Sequence, residues 1–135
     1  MEKQQDVWPQ VRAVISDIFD RDPAAIAPET RIMADLGGES VDLLEIAVRL
    51  NADFGIPVEE NVVFLKDLRY LLAECRAEGR TPETALAEAY PHLTEERRRE
   101  LAREAARPQA APLLCAADIA AYVAAARSRT WRGSC

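Results

Sequence analysis

Residues 34–50 read ADLGGESVDLLEIAVRL, and in them one hydroxyl, that of Ser40, stands between acidic residues just after Gly37 and Gly38. A serine that attacks a substrate needs a base to take its proton. The single histidine, His92, lies outside this run and in no recognisable motif. The context is not G-x-S-x-G, no strand precedes it, and no Gly-Lys-Ser/Thr follows the glycines, so neither a nucleophile elbow nor a phosphate loop is written here. Two roles remain for Ser40: a helix cap, or a hydroxyl modified by another enzyme. A phosphodiester formed there would sit at a helix N-terminus, where the dipole favours an anion. Asp35, Glu39 and Asp42 partly oppose that field, which suits them better to contact with a partner.

The other chemistry-bearing residues are three cysteines, Cys75, Cys115 and Cys135. Their number is odd and their spacing unpaired, so they define neither a disulfide framework nor a metal template. Cys75 and Cys115 fall on apolar faces, where a buried, inert thiol is the expectation. A small enzyme pairing a cysteine with His92 is the competing reading that these residues leave open.

The elements that position Ser40 are legible as helices. Val7, Val11, Val14, Ile15 and Ile18 recur at three- and four-residue steps and predict a helix over 6–19. Pro23 and Pro28 then force a loop, which Ile26, Ile32 and Leu36 should pin to the core. A second helix is expected from Ser40 to Phe54, with Leu43, Ala47, Leu50 and Phe54 as core positions and Val41, Leu44, Ile46 and Val48 widening the stripe. Gly55 and Pro57 end it. Phe64, Leu68, Leu71, Leu72 and Cys75 form a further stripe. Thr81 before Pro82, and Thr94 before EERRRELAREAAR, read as helix starts. In the latter helix, Glu96 with Arg99 and Glu100 with Arg103 are spaced to pair. A last helix is expected from about Ala116 to Arg127.

The chain has 135 residues, enough for one domain with an elaboration, and 49% of them are hydrophobic. Aromatics are 6%, and the alanine- and leucine-rich remainder favours helices over a β-sandwich. The fold class read from this is all-α, a four-helix bundle with extra helices. The net charge of −6 argues against nucleic acid as the main partner. Residues 1–60 carry 13 acidic against 5 basic side chains. The opening MEKQQDVWPQ lacks the apolar stretch of a signal peptide, and no run approaches a membrane span. The expected location is cytoplasmic, without membrane insertion.

Residues 11–60, VRAVISDIFDRDPAAIAPETRIMADLGGESVDLLEIAVRLNADFGIPVEE, resemble an acyl carrier protein. The D-P-x-x-I loop, the P-E-T-R turn, D-L-G before the serine, V-D-L-x-E-I after it and the closing D-F-G-I fall at the family's spacing. The resemblance implies an acyl-carrier-like bundle that performs no catalysis and holds no metal. It also implies a covalent 4′-phosphopantetheine arm on Ser40, transferred from coenzyme A by a phosphopantetheinyl transferase. The arm's thiol would carry an acyl thioester to acyl-loading, acyl-modifying or acyltransferase enzymes of fatty acid, lipid or polyketide biosynthesis. By position, Asp35, Glu39, Val41, Asp42 and Glu45 would be read by those partners, with Arg49 adding a positive charge on or near their face. A working monomer is expected.

The sequence departs from the family in three places. Glu39 stands where the family usually has aspartate, and LGGES also echoes peptidyl carriers of nonribosomal pathways. The final-helix resemblance, LLCAADIAAYVAAAR, arrives only at Leu113. The expected organisation is therefore a module of residues 1–60 and 113–130, a helical insertion over 61–112, and a tail of 131–135. The insertion carries nine acidic and nine basic side chains, unlike the acidic module around it. It would pack on the module, enlarge its acyl-binding cavity, or serve one dedicated enzyme. A carrier-like module that is never modified is the second alternative to an acyl carrier.

Overall fold

The computed structural model describes residues 2–107 and 112–133, with 2–6 and 129–133 described by their backbone course alone. Seven α-helices follow one another among these residues: α1 (Glu2–Phe19), α2 (Ser40–Phe54), α3 (Glu60–Val63), α4 (Leu68–Glu78), α5 (Pro82–Ala89), α6 (Glu95–Ala105) and α7 (Ala116–Gly133). Among the described residues the one extended pairing is an antiparallel bridge between Arg31 and Cys115. The fold is all-α, as the composition predicts.

Helix α1 begins earlier than its apolar spacing indicates and includes Pro9. That proline lacks a backbone donor and gives up one bond of the helix. The apolar stripe of α1 is fully used, with Val7, Val11, Val14 and Ile15 all buried. It packs against Ile119 and Val123 of α7 and Ile46 and Leu50 of α2 in one continuous core. Each such aliphatic side chain contributes about 1.5–3 kcal/mol on leaving water. Ile26, Ile32 and Leu36 are buried as anticipated, so the long loop before α2 is held at three points. Its end also pairs with the chain entering α7: Ile32 N–H donates to the Leu114 carbonyl at 3.0 Å, and Ala116 N–H to the Thr30 carbonyl at 2.9 Å. On the opposite side, the Tyr122 hydroxyl of α7 donates to the Pro57 carbonyl at 3.2 Å and accepts Glu59 N–H at 3.1 Å. These two ties fix both segments flanking α2.

Helices α4, α5 and α6 pack chiefly on one another through Leu68, Leu72, Leu86 and Leu101. Thr94 caps α6 as expected, its hydroxyl accepting Arg97 N–H at 3.1 Å. The expected pairs of α6 are replaced by Arg99–Glu95 and Arg97–Glu100. Arg97 is drawn from the solvated face by a buried partner in α7. Its guanidinium meets Asp118 in a bidentate pair at 2.9 and 2.8 Å and also donates to the Leu113 carbonyl at 2.9 Å. Burial alone would lower the Arg97 pKa, but the hydrogen bond and the charge of Asp118 reverse this and hold it above its usual range. Helix α6 is thus tied to α7 through an ion pair as well as through apolar packing.

Candidate functional site

The turn before α2 shows why two glycines stand there. Gly37 has φ +70°, in the left-handed region that side-chain-bearing residues rarely enter. Gly38 lies so close to the preceding loop that a Cβ would come within 2.9 Å of the Ile32 carbonyl oxygen and 3.2 Å of the Phe19 ring. The pair turns the chain sharply against Ile32 and sends it directly into α2, and Ser40 emerges on the exposed side.

Ser40 is the first residue of α2, and Glu39 is the N-cap. A serine cap is therefore not what the hydroxyl does. Glu39 N–H donates to Asp42 Oδ2 at 2.9 Å, so the capping is done around Ser40 rather than by it. Ser40 is exposed, and its hydroxyl has no hydrogen-bond partner among the described residues. The N–H groups of Ser40 and Val41 likewise have no acceptor among the described residues, so two donors at the positive end of the helix face the surface beside the hydroxyl.

The other positions singled out in the sequence divide into two sets. Glu39, Val41 and Asp42 share the first turn of α2 with Ser40, and Glu45 is exposed on the next turn. Asp35 is in the preceding turn, where its Oδ2 accepts Arg31 N–H at 2.8 Å. Asp35 and Asp42 thus each commit an oxygen to the local backbone. Arg49 stands on the line of Asp42 and Glu45, as its spacing predicts, but its charge is engaged by neighbouring carboxylates. It pairs with Asp53 at 3.3 Å and with Asp17 of α1 at 3.4 Å.

A larger correction concerns the stripe expected to widen the core. Of its four members only Ile46 is buried; Val41, Leu44 and Val48 are 60%, 52% and 61% exposed. Their i, i+3, i+7 spacing sets them on one line that begins beside Ser40. The core side of α2 is Leu43, Ile46, Ala47 and Leu50. Two hydrophobic lines on one helix were visible in the sequence, and the charged residues Asp42, Glu45 and Arg49 between them were the signal that only one line faces inward.

Neither Cys75 nor Cys115 is a reactive thiol. Both are buried, and Cys115 is pushed up to about 11 by burial and then by the adjacent Asp118. His92 sits half-buried between the rings of Tyr90 and Tyr122, with ring centroids at 6.2 and 5.4 Å, as a packing residue. Cys135 lies outside the described residues.

A family model described as the phosphopantetheine attachment site matches residues 9–69, which include the whole of this turn and helix. The chain is 30% identical to the acyl carrier protein of Campylobacter hominis over 67 residues, 47% of this chain and 85% of that protein. It is 29% identical to the acyl carrier protein of Thermosynechococcus vestitus over 70 residues, 51% of this chain and 86% of that protein. With the acyl carrier protein of Helicobacter pylori the identity is 30% over 54 residues, 40% of this chain and 69% of that protein. No solved structure matches the chain significantly.

The chain is a phosphopantetheine-binding helical carrier. It belongs to the acyl carrier protein family, whose members carry acyl groups rather than transform them, and its cofactor is 4′-phosphopantetheine. The first turn of α2 fits that group chemically. It presents an uncommitted hydroxyl for the phosphodiester, with two unpaired backbone donors beside it for the phosphate oxygens. Among the described residues no helix is long and apolar enough to cross a membrane.

Proposed function

We propose that Ser40 carries the phosphopantetheine arm and that this chain presents acyl thioesters on it to enzymes of fatty acid, lipid or polyketide biosynthesis. The observation that carries the assignment is the state of the hydroxyl: it is exposed, at the first position of α2, and released from capping because Asp42 caps Glu39 instead. A phosphopantetheinyl transferase reaches such a group without unfolding the turn. Once attached, the arm confines the acyl group near each partner's active site and raises its local concentration.

The partner surface in this reading is the outward line of α2. Val41, Leu44 and Val48 supply apolar contact, and Asp35, Glu39, Asp42 and Glu45 surround its Ser40 end with negative charge. Charge of one sign speeds encounter with basic partners, and an apolar strip this small keeps the complexes short-lived. The module is formed by residues 1–60 and 113–130, the insertion spans 61–112, and the protein works as a cytoplasmic monomer. Helix α3 packs against α7 and supports a view in which the short helix of an ordinary carrier is retained and the insertion proper is α4 to α6.

The test is intact-mass analysis of the parent and of Ser40→Ala after incubation with coenzyme A and a broad-specificity phosphopantetheinyl transferase. The expected result is a gain of one phosphopantetheine on the parent alone. Gain on both proteins would move the attachment elsewhere, and no gain with several transferases would leave a carrier-like interaction module.

A further inference from the structure

Two cavities lie between the carrier module and the inserted helices. The smaller, about 240 Å³, begins at Leu43, one turn along α2 from Ser40, and is lined further by Phe64, Leu68 and Ala105. The larger, about 560 Å³, opens among Trp8 of α1, Leu93 and Arg97 of the insertion, and Ala117 and Ala121 of α7. They are neighbours. Leu113 lines both, and α6 supplies Ala105 to one and Arg97 to the other. The short pairing of residues 30–32 with 114–116 sets successive side chains to opposite sides, so that Leu114 lines the smaller cavity and Cys115 the larger.

We propose that the larger cavity is the second compartment of a cargo site for long acyl chains. It receives the far end of a chain whose thioester end is tethered at Ser40 and whose middle passes Leu113. This rests on the arm being attached to Ser40. Capacity is the first argument. At roughly 30 Å³ per group at liquid density, the smaller cavity holds about eight chain carbons, so a longer chain needs a second space.

The chemistry of the lining is the second argument. The Arg97 guanidinium in the larger cavity is already engaged by Asp118, Glu100 and the Leu113 carbonyl, and the Thr94 hydroxyl by Arg97 N–H. What those groups leave for an occupant is chiefly Trp8, Leu93, Leu113 and the alanines of α7, with Glu29 and Arg31 as the further charged side chains of the lining. Such a lining suits a hydrocarbon chain better than a sugar or a nucleotide. The inserted helices thereby acquire a task, since without Leu93, Arg97 and Glu100 this cavity would lack one wall.

Trp8 gives the compartment its own reporter. In a Trp131→Phe background Trp8 is the sole tryptophan. This protein is converted to its phosphopantetheine form and loaded with hexadecanoyl groups brominated either near the thioester or near the far end, each state verified by intact mass. Loss of Trp8 fluorescence is expected with the far-end bromine, and not with the thioester-proximal bromine or with an octanoyl group brominated at its end. Ala121→Leu, or Ala117→Leu should the first fail to fold, narrows the compartment and should restore the emission at unchanged loading. Equal emission from all loaded forms overturns the proposal. So does equal quenching of Ser40→Ala by the free brominated acid, which would make the cavity a site for untethered lipid. If the parent accepts no arm, its mass reports this before any fluorescence is read, and the proposal then falls together with the carrier assignment.

Discussion

Replacing Arg97 by methionine keeps the apolar stem and removes the guanidinium from a carboxylate whose side chain is 2% exposed. Asp118 then retains the Cys115 N–H at 3.1 Å as its backbone donor, and the Leu113 carbonyl loses the Arg97 donor. Removing one partner of a buried ion pair costs about 3–5 kcal/mol, because the remaining charge is stranded. Arg97 is itself 20% exposed, so water can enter the gap and the lower end of that range, about 3 kcal/mol, is expected. Arg97→Met with Asp118→Asn removes both charges while the amide still accepts Cys115 N–H. It should return to within about 1 kcal/mol of the parent.

Urea unfolding followed by circular dichroism measures both differences. A single-variant cost below about 1 kcal/mol, or a double variant no better than the single, would refute the claim that this pair holds α6 to α7.

Leu44→Asp should leave unfolding free energy within about 0.5 kcal/mol of the parent, because the side chain is already half in water, while raising the KM of the transferase proposed to modify Ser40. Gly38→Ala should cost about 1–2 kcal/mol in urea, since its Cβ would meet a backbone carbonyl rather than a yielding side chain. The Cys115 thiol, raised from 9.0 to about 11, favours the protonated form in the folded state. Its contribution is intact below pH 9.0 and is lost as pH rises to about 11, and Cys115→Ala should flatten the parent's stability loss across that window by about 2 kcal/mol.

The helices of the module were legible because their burial is one-sided and the spacing of Val7, Val11, Ile15 and of Leu43, Leu50 reports it directly. Ser40 was legible for a different reason. It sits at the junction of a turn that needs glycine and a helix that needs a start, and both leave marks in a sequence. The far side of α2 was misread because hydrophobicity records only that a residue is apolar, and Val41, Leu44 and Val48 look like core until the packed face is known. The tie between α6 and α7 could not be read at all. Arg97 and Asp118 are 21 residues apart, and Arg97 follows Thr94, Glu95 and Glu96 in a run whose i, i+4 arithmetic predicts only solvated pairs.

In the proposed docking of partners, the acidic rim of Ser40 plays two parts that separate by distance. Asp35 and Asp42 keep their full charges while each lends an oxygen to a backbone N–H, so their field at long range is undiminished. Attraction of a basic partner from solution depends on that field and weakens with salt. Close contact depends on lone pairs that are still available, and here the two aspartates have fewer to offer than Glu45, which is exposed on the next turn. Under that proposal the exposed apolar line from Val41 to Val48 supplies more of the contact once the partner has arrived. A carrier that has to leave each enzyme quickly gains from this division, because screening or mutating the acids slows arrival while the strip on α2 sets how long the complex lasts.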